Sequence, residues 1–188
     1  NRLFIPMVHE ACFLKDRTSA TLEEIDSAVK FNLGFPMGIF ELADFTGMDV
    51  IHKATVEMHL RDKKVISPHP LVEKMFDEKK LGQKSGEGYY KYSDDKYERV
   101  ALSEELAAKC NPIQIVANIL NNAAWLITNG ASDIEEIEKA AQLGLGLKKP
   151  LFETAKEIGI KKIVDELSKL AEEHGEFYKP DPLLVSMQ

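Results

Sequence analysis

The sequence has only two cysteines and one tryptophan, and it lacks the run of about twenty apolar residues that a membrane helix needs. We therefore predict a soluble protein without a membrane span. Cys12 and Cys110 lie far apart in sequence of helical character, which favours free thiols over a disulfide and predicts a cytoplasmic location. The sequence shows no signal peptide and does not begin with methionine, so we expect a piece of a longer polypeptide.

Clusters of basic residues are also missing. The chain carries 24 Lys and Arg against 31 Asp and Glu, a formal net charge of -7, and no basic block. Because phosphate binding needs clustered cations, we do not expect nucleic acid as a main partner.

The sequence offers no recognisable metal or nucleotide motif. His52 and His59 would be two helical turns apart, roughly 10 Å along the axis, which is too far for one metal ion. Residues 144–146 lack the third glycine and the preceding strand of a dinucleotide-binding turn, and the glycines of residues 82–88 lack Walker spacing. We predict no metal and no cofactor bound by this chain.

What the sequence does contain is an internal repeat. At an offset of 112 positions, residues 1–76 align with 113–188 without a gap, and 17 of the 76 pairs are identical. Average composition would give roughly 4 to 5 identical pairs. The period is far longer than that of solenoid repeats, so each copy is predicted to be a multi-helix subdomain, with the two packed as a pseudo-two-fold pair.

Each copy has the periodicity of helices. Apolar residues recur at helical spacing from Leu3 to Leu14, a capping box at Thr21 and Glu24 opens a second helix, and Gly34 ends it. Two more helices are predicted at 39–47 and 48–62. In the second copy the predicted helices span 112–129, 133–143, 150–158 and 160–173.

The predicted fold class is therefore all-α. Only residues 82–99, rich in glycine and tyrosine, indicate turns and extended chain. We divide the chain into copy one at 1–92, a linker at 93–112 and copy two at 113–188.

Two polar or aromatic positions allow more than one interpretation. Asn1 is an amide directly before an apolar helix, which is the residue type and position of an N-cap; the alternative is a functional role. Trp125 lies on an apolar helical stripe and is interpreted as core or as a contact between subunits.

Three motifs, in this order, carry a family resemblance: "NRLFIPMVHEA", "TLEEIDSAVKFNLGFPMGIFELADFTGMDV" and "KKLGQKSGEGYYKY". They resemble the C-terminal helical domain of L-3-hydroxyacyl-CoA dehydrogenases, including the 3-hydroxybutyryl-CoA enzymes. Residues 113–188 resemble the weaker second copy of that domain found in longer members. The resemblance implies a fold like the C-terminal domain of 6-phosphogluconate dehydrogenase. In shorter members two subunits pair through this domain, so a second copy would supply the partner within one chain, and further homo-oligomerisation stays open.

The resemblance also implies an activity. It points to an NAD-dependent oxidoreductase that converts (S)-3-hydroxyacyl-CoA to 3-oxoacyl-CoA in fatty acid metabolism, such as β-oxidation. NAD and a catalytic His and Glu pair would belong to an N-terminal Rossmann domain, so no catalytic residue is expected here, and the helical part alone should be inactive. The helical part would close the cleft that holds the acyl-CoA substrate.

Substrate-site residues are implied in the first copy only. The family's "NR" motif places Asn1 at the reacting centre, with Arg2 as structural support. The loop of Phe35, Pro36, Met37 and Gly38 is implied to lie near the cleft, its shape fixed by proline and glycine.

Copy two departs from these motifs. Ile113 stands opposite Asn1, and Lys148, Lys149 and Pro150 stand opposite residues 36–38, so the second copy is predicted to keep the packing without the site. Ile39 stands where the family commonly has proline. Two alternatives stay open: a non-catalytic helical assembly module, or the helical domain of a hydroxy-acid dehydrogenase that acts without CoA.

Overall fold

The structure, a computed structural model, describes residues 1–62, 65, 67–94 and 96–188. Copy one contains α1 (Phe4–Arg17), α2 (Leu22–Ser27), α3 (Ile39–Thr46), α4 (Met48–Arg61) and α5 (Pro70–Asp77). A short antiparallel pair, β1 (Tyr92–Ser93) and β2 (Lys96–Tyr97), and α6 (Glu104–Ala107) lead to copy two. Copy two contains α7 (Ile113–Thr128), α8 (Ile134–Leu145), α9 (Leu151–Ile158), α10 (Ile160–His174) and α11 (Pro182–Ser186). The all-α prediction is confirmed.

The helices of the two copies correspond at the offset found in the sequence. Adding 112 to the bounds of α3 gives the bounds of α9, and the first residue of α4 maps onto that of α10. Gly34 and Gly146 follow the second helix of each copy with φ angles of 75° and 68°, a left-handed conformation that glycine adopts without steric cost. The fold is therefore a tandem pair of the same helical unit, as predicted.

The structure differs from the prediction in two respects. Helices α5, α6 and α11 were not predicted, and one predicted helix is not regular throughout. The helix that begins at Leu22 was expected to stay regular until Gly34, but its last turn, Ala28–Asn32, is a π-helix. The amide of Leu33 accordingly donates to the carbonyl of Ala28 at 3.3 Å. A single π-turn inserted in a helix leaves no periodic signal in so short a stretch of sequence.

Side chains at equivalent positions cap equivalent helices. Thr21 caps α2 and Asp133 caps α8, each accepting a hydrogen bond from a backbone amide of the first turn. His69 and Asp181 cap α5 and α11 in the same way. The cap is therefore preserved between copies although the capping residue has changed.

A buried histidine supports the cap of α5. The imidazole Nδ1 of His9 accepts from the amide of His69 at 2.8 Å, and in copy two the Oδ1 of Asn121 accepts from the amide of Asp181 at the same distance. His9 Nε2 lies 2.8 Å from the Thr55 hydroxyl, which donates to a backbone carbonyl. His9 is thus held as a neutral imidazole with its proton on Nε2.

The core lies between the copies. Helix α1 packs on α7, and α7 packs on α10. Helix α1 is buried around nearly its whole circumference, at Ile5, Pro6, Met7, Val8, His9, Glu10, Ala11, Cys12 and Leu14. Pro6 sits in the first turn, where its missing N–H has no helical acceptor to lose. Among the described residues no helix is both long and apolar enough to cross a membrane.

We expect His9 to make folding stability acid-sensitive. Burial, and to a lesser extent His69, lowers the pKa of His9 from 6.5 to about 3. As the pH falls from 6.5 towards 3, the unfolded chain takes up a proton at His9 and the folded chain does not. This lowers the free energy of unfolding by about 1.4 kcal/mol per pH unit.

His9→Asn replaces His9 with the residue type that copy two has at the equivalent position, Asn121. This variant should lose the part of the pH dependence of folding stability that His9 causes. Urea unfolding at pH 7.5, 5.5 and 4.5 measures it, with His174→Asn at an exposed position as the control. Equal pH slopes in His9→Asn and the unmodified chain would contradict the expectation.

Candidate functional site

A cleft between the two copies contains Asn1. Its volume is about 420 Å³. It is formed by the start of the chain, by α3 of copy one, and by α7 and α8 of copy two with the turn between them. The lining residues are Asn1, Arg2, Leu3, Phe4, Leu42, Thr46, Leu126, Ser132, Ile137, Ala140, Gly144 and Leu145. We refer to this space as the inter-copy cleft.

The side chain of Asn1 is not a helix cap. Helix α1 begins at Phe4, and its N-cap position is Leu3, where no side chain caps the helix. Asn1 supports the helix only through its carbonyl, which accepts from the amide of Ile5 at 2.9 Å. The N-cap interpretation of Asn1 is therefore wrong. Within the described part of the chain no group hydrogen-bonds the exposed Asn1 side chain, and Asn1 is one of the residues that line the inter-copy cleft.

Arg2 connects the two copies beside this amide. Its guanidinium lies 3.4 Å from the ring centroid of Trp125 on α7, and it pairs with Asp62, at the end of α4, across 3.7 Å. Only 18% of its side chain is exposed. Trp125 is thus a contact between the copies. A stacked, ion-paired guanidinium has little freedom, so Arg2 restricts the position of the neighbouring Asn1.

The loop of the other predicted site residues lies next to the cleft without lining it. Phe35 and Gly38 are buried, Met37 is half-buried and Pro36 is exposed. Pro36 packs against the end of α8, because a Cβ added to Gly146 would lie 2.9 Å from its Cγ. The structure therefore brings this loop and Asn1 to the same helix of copy two, but only Asn1 faces the inter-copy cleft.

A buried carboxylate fixes the loop to α3. Asp26 accepts from the amides of Phe40 at 2.8 Å and Glu41 at 3.1 Å, and from the Tyr90 hydroxyl at 2.9 Å. Burial raises the pKa of Asp26 to about 7, although these donors oppose the shift. Gly38 has no room for a side chain, since a Cβ there would lie 2.1 Å from the Asp26 Cγ.

Asp26 was missed in the sequence, although the repeat carried a signal for it. In copy two the equivalent residue is Glu138, whose carboxylate accepts from the amides of Leu151 and Phe152 at the start of α9. An acid is thus kept at both positions to hold a helix N-terminus. The loop between differs, with Lys148 exposed and Lys149 half-buried.

The tyrosine-rich segment is a second anchor on α3. Asp44 accepts from the amides of Tyr89 and Tyr90, at 2.8 and 2.9 Å, and from the Tyr92 hydroxyl at 2.8 Å. Burial raises the pKa of Asp44, against the effect of these hydrogen bonds. The motif "GEGYYKY" therefore holds α3 in place and does not cradle a phosphate.

Four histidines line a separate cleft of about 310 Å³ in copy one: His9, His52, His59 and His69. In the described residues no group of three or more His, Cys, Asp or Glu is placed to hold a metal ion. His52 instead stacks on Phe76, with ring centroids 4.1 Å apart.

Comparison with known proteins identifies the family of the chain. The family of the 3-hydroxyacyl-CoA dehydrogenase C-terminal domain matches residues 1–92 and 114–188. The chain belongs to this family. The family resemblance carried by the three sequence motifs is confirmed.

Relatives of this 3-hydroxyacyl-CoA dehydrogenase C-terminal domain are longer proteins. A mitochondrial hydroxyacyl-coenzyme A dehydrogenase of Sus scrofa is 42% identical over 94 residues, which are 49% of this chain and 30% of the relative. A probable 3-hydroxybutyryl-CoA dehydrogenase of Deinococcus radiodurans is also 42% identical over 94 residues, which are 34% of its length. The chain thus matches about a third of these curated relatives.

Two solved structures share the fold over nearly the whole chain. The 3-hydroxybutyryl-CoA dehydrogenase of Escherichia coli aligns over 99% of this chain and 58% of its own, with a TM-score of 0.77 and 20% identity. The dehydrogenase part of multifunctional enzyme 1 from Caenorhabditis elegans aligns over the same share of this chain with a TM-score of 0.63 and 22% identity. Both copies are therefore a fold that occurs in larger proteins.

We expect the Asp26 anchor to be more stabilising than its counterpart in copy two. Asp26→Asn should lower the free energy of unfolding by about 1 to 3 kcal/mol, because the amide turns a donor towards buried N–H or O–H groups. Glu138→Gln, at a half-buried position, should cost about 1 kcal/mol or less. Denaturant unfolding of both variants measures the difference, and equal losses would contradict a special role for Asp26.

The contact of Arg2 with Trp125 has an optical readout, because Trp125 is the single tryptophan. Arg2→Leu should shift the tryptophan emission and lower stability by about 1 kcal/mol through loss of the cation–π contact. Arg61→Leu, which removes an exposed ion pair with Glu57, should leave the emission unchanged and cost about 0.5 kcal/mol or less. An identical response of the two variants would show that Arg2 does not hold the copies together.

Proposed function

We propose that this chain is the helical part of an NAD-dependent 3-hydroxyacyl-CoA dehydrogenase and closes over the acyl-CoA substrate. Membership of the family supports the reaction class. In that reaction the 3-hydroxyl proton passes to a histidine and the hydride passes from C3 to the nicotinamide ring. Both the histidine and its glutamate partner would lie in a dinucleotide-binding domain that precedes Asn1 in the parent protein.

The observation that carries the proposal is the unused amide of Asn1. It begins the "NR" motif, it does not cap α1, and it lines the inter-copy cleft. An amide held beside the reacting carbon can donate to the substrate oxygen or orient the catalytic histidine. We therefore assign Asn1 to substrate binding, and the loop of Phe35, Pro36, Met37 and Gly38 to the neighbouring wall.

The described residues do not fit NAD. Residues 144–146 form the end and the C-cap of helix α8, whereas a dinucleotide-binding turn follows a strand and carries a third glycine. The strands of this chain are the two-residue pair β1 and β2 as far as the structure describes it. NAD binding therefore belongs to the preceding domain, and this chain alone should be inactive.

Copy two takes the place of a second subunit in this proposal. It supplies Trp125, which stacks on Arg2, and Tyr178, whose hydroxyl donates to the buried Glu10 at 2.8 Å. We keep the boundaries of 1–92 and 113–188 for the two copies as part of the proposal. The free thiols of Cys12 and Cys110 fit a reducing compartment such as the cytoplasm.

The test joins the dinucleotide-binding domain of a relative to Asn1 and follows acetoacetyl-CoA reduction by NADH at 340 nm. We expect turnover by the joined protein and none by this chain alone. Asn1→Ala should lower kcat/KM about 100-fold, the usual loss for a polar donor at a reacting centre. Ile113→Ala, at the equivalent position of copy two, is the matched control and should change it little.

Other outcomes would favour the alternatives. A folded joined protein without activity would support a helical assembly module. Activity on hydroxy acids that lack CoA would support a CoA-independent dehydrogenase. Normal turnover by the Asn1→Ala variant would contradict the assignment of Asn1 to the substrate site.

A further inference from the structure

The helix α8 of copy two forms one wall of the inter-copy cleft. Ile137, Ala140 and Gly144 lie on one face of α8, because positions three, four and seven apart share a face. Together they extend over two turns, roughly 10 Å, opposite Leu42 and Thr46 of α3. The wall is apolar, and at the positions of Ala140 and Gly144 it carries little or no side chain.

Gly144 has no role that the fold explains. It lies inside α8, where glycine weakens a helix relative to alanine. Its φ angle is not in the left-handed region, and a Cβ added there would meet no atom within 4 Å. Gly144 and Ala140 are exposed and line the cleft. Neither backbone conformation nor packing requires glycine at position 144, and the missing side chain leaves space in the cleft there.

The dimensions and chemistry of the cleft suit a narrow apolar ligand. A volume of about 420 Å³ lies in the range of small-molecule sites, which are mostly apolar with a few polar groups. Leu42, Leu126 and Ile137 supply apolar surface, and Asn1 and Thr46 are polar residues of the lining.

We propose that the inter-copy cleft is the subsite for the acyl chain, and that Ala140 and Gly144 of the degenerate copy determine which chain lengths it accepts. This inference rests on the proposed function, in which Asn1 lies at the reacting carbon. From that end the alkyl chain runs between α3 and α8. Copy two lacks the polar motif, and it contributes to chain-length specificity because its small residues on α8 leave space for the alkyl chain.

The decisive variant is Gly144→Leu. Leucine is a strong helix former, so the variant should fold with an equal or higher melting temperature while filling the cleft. Ala140→Leu is a second variant with the same aim. The matched control is Gln142→Leu, which changes an exposed position of α8 outside the cleft.

The first measurement is the chain-length profile of the protein joined to its dinucleotide-binding domain. Gly144→Leu should lower kcat/KM for 3-oxododecanoyl-CoA at least 10-fold and keep that for acetoacetyl-CoA within about twofold. Gln142→Leu should change neither. An unchanged profile in Gly144→Leu would overturn the subsite, and so would an equal loss for both substrates, while the proposed function would stand.

The second measurement is binding of dodecanoyl-CoA and acetyl-CoA to the 188-residue chain by titration calorimetry, which needs no turnover. We expect dodecanoyl-CoA to bind more tightly than acetyl-CoA, and Gly144→Leu to weaken dodecanoyl-CoA at least 10-fold. Equal binding of the two ligands, or no effect of Gly144→Leu, would overturn the inference. If the joined protein does not reduce acetoacetyl-CoA, the proposed function fails, and this titration still decides whether the cleft holds an alkyl chain.

Discussion

The burial of α1 is the constraint on which the rest of the structure depends. A helix that is buried on almost every side must be covered by neighbours on every side, and copy one alone supplies only part of the cover. Helix α7 of copy two supplies the remainder. Polar contacts then fix how the two copies pack together. The buried carboxylate of Glu10 on α1 accepts a hydrogen bond from Arg17 at 2.7 Å and another from the hydroxyl of Tyr178 in copy two. An unpaired Glu10 would be costly, which selects one arrangement of the copies.

Within each copy, side chains that hold backbone amides were retained more strictly than side chains that form surfaces. His9 and Asn121 perform the same task with different chemistry, as do Asp26 and Glu138. A buried amide without an acceptor costs free energy wherever it lies, so each copy had to keep an acceptor at these positions. The loops were under no such constraint, and this explains how copy two could carry other residues opposite 36–38 without losing the fold.

The same division explains how a duplicated domain would serve one site in the proposed function. In that proposal Asn1 has to be held in a fixed position. Arg2 provides that position by stacking on Trp125 of copy two and pairing with Asp62 of copy one. The face of α8 at Ala140 and Gly144 needs only to be small. Copy two can therefore contribute to the proposed site through packing and shape after its own polar motif has gone.

The sequence by itself determined the repeat, the first four helices of each copy, the all-α fold and the family, because identical residues at a constant offset and apolar periodicity are local patterns. Helices α5, α6 and α11 were not predicted. It also indicated that the loop of copy two lacks the motif residues of copy one. Only the tertiary structure decided that Asn1 does not cap α1, that Arg2 stacks on Trp125, that Asp26 and Asp44 anchor α3, and that Gly144 faces a cleft. These contacts join residues that are distant along the chain or belong to different copies. Such contacts leave no period in the sequence, so they are fixed only when α1 and α7 have packed.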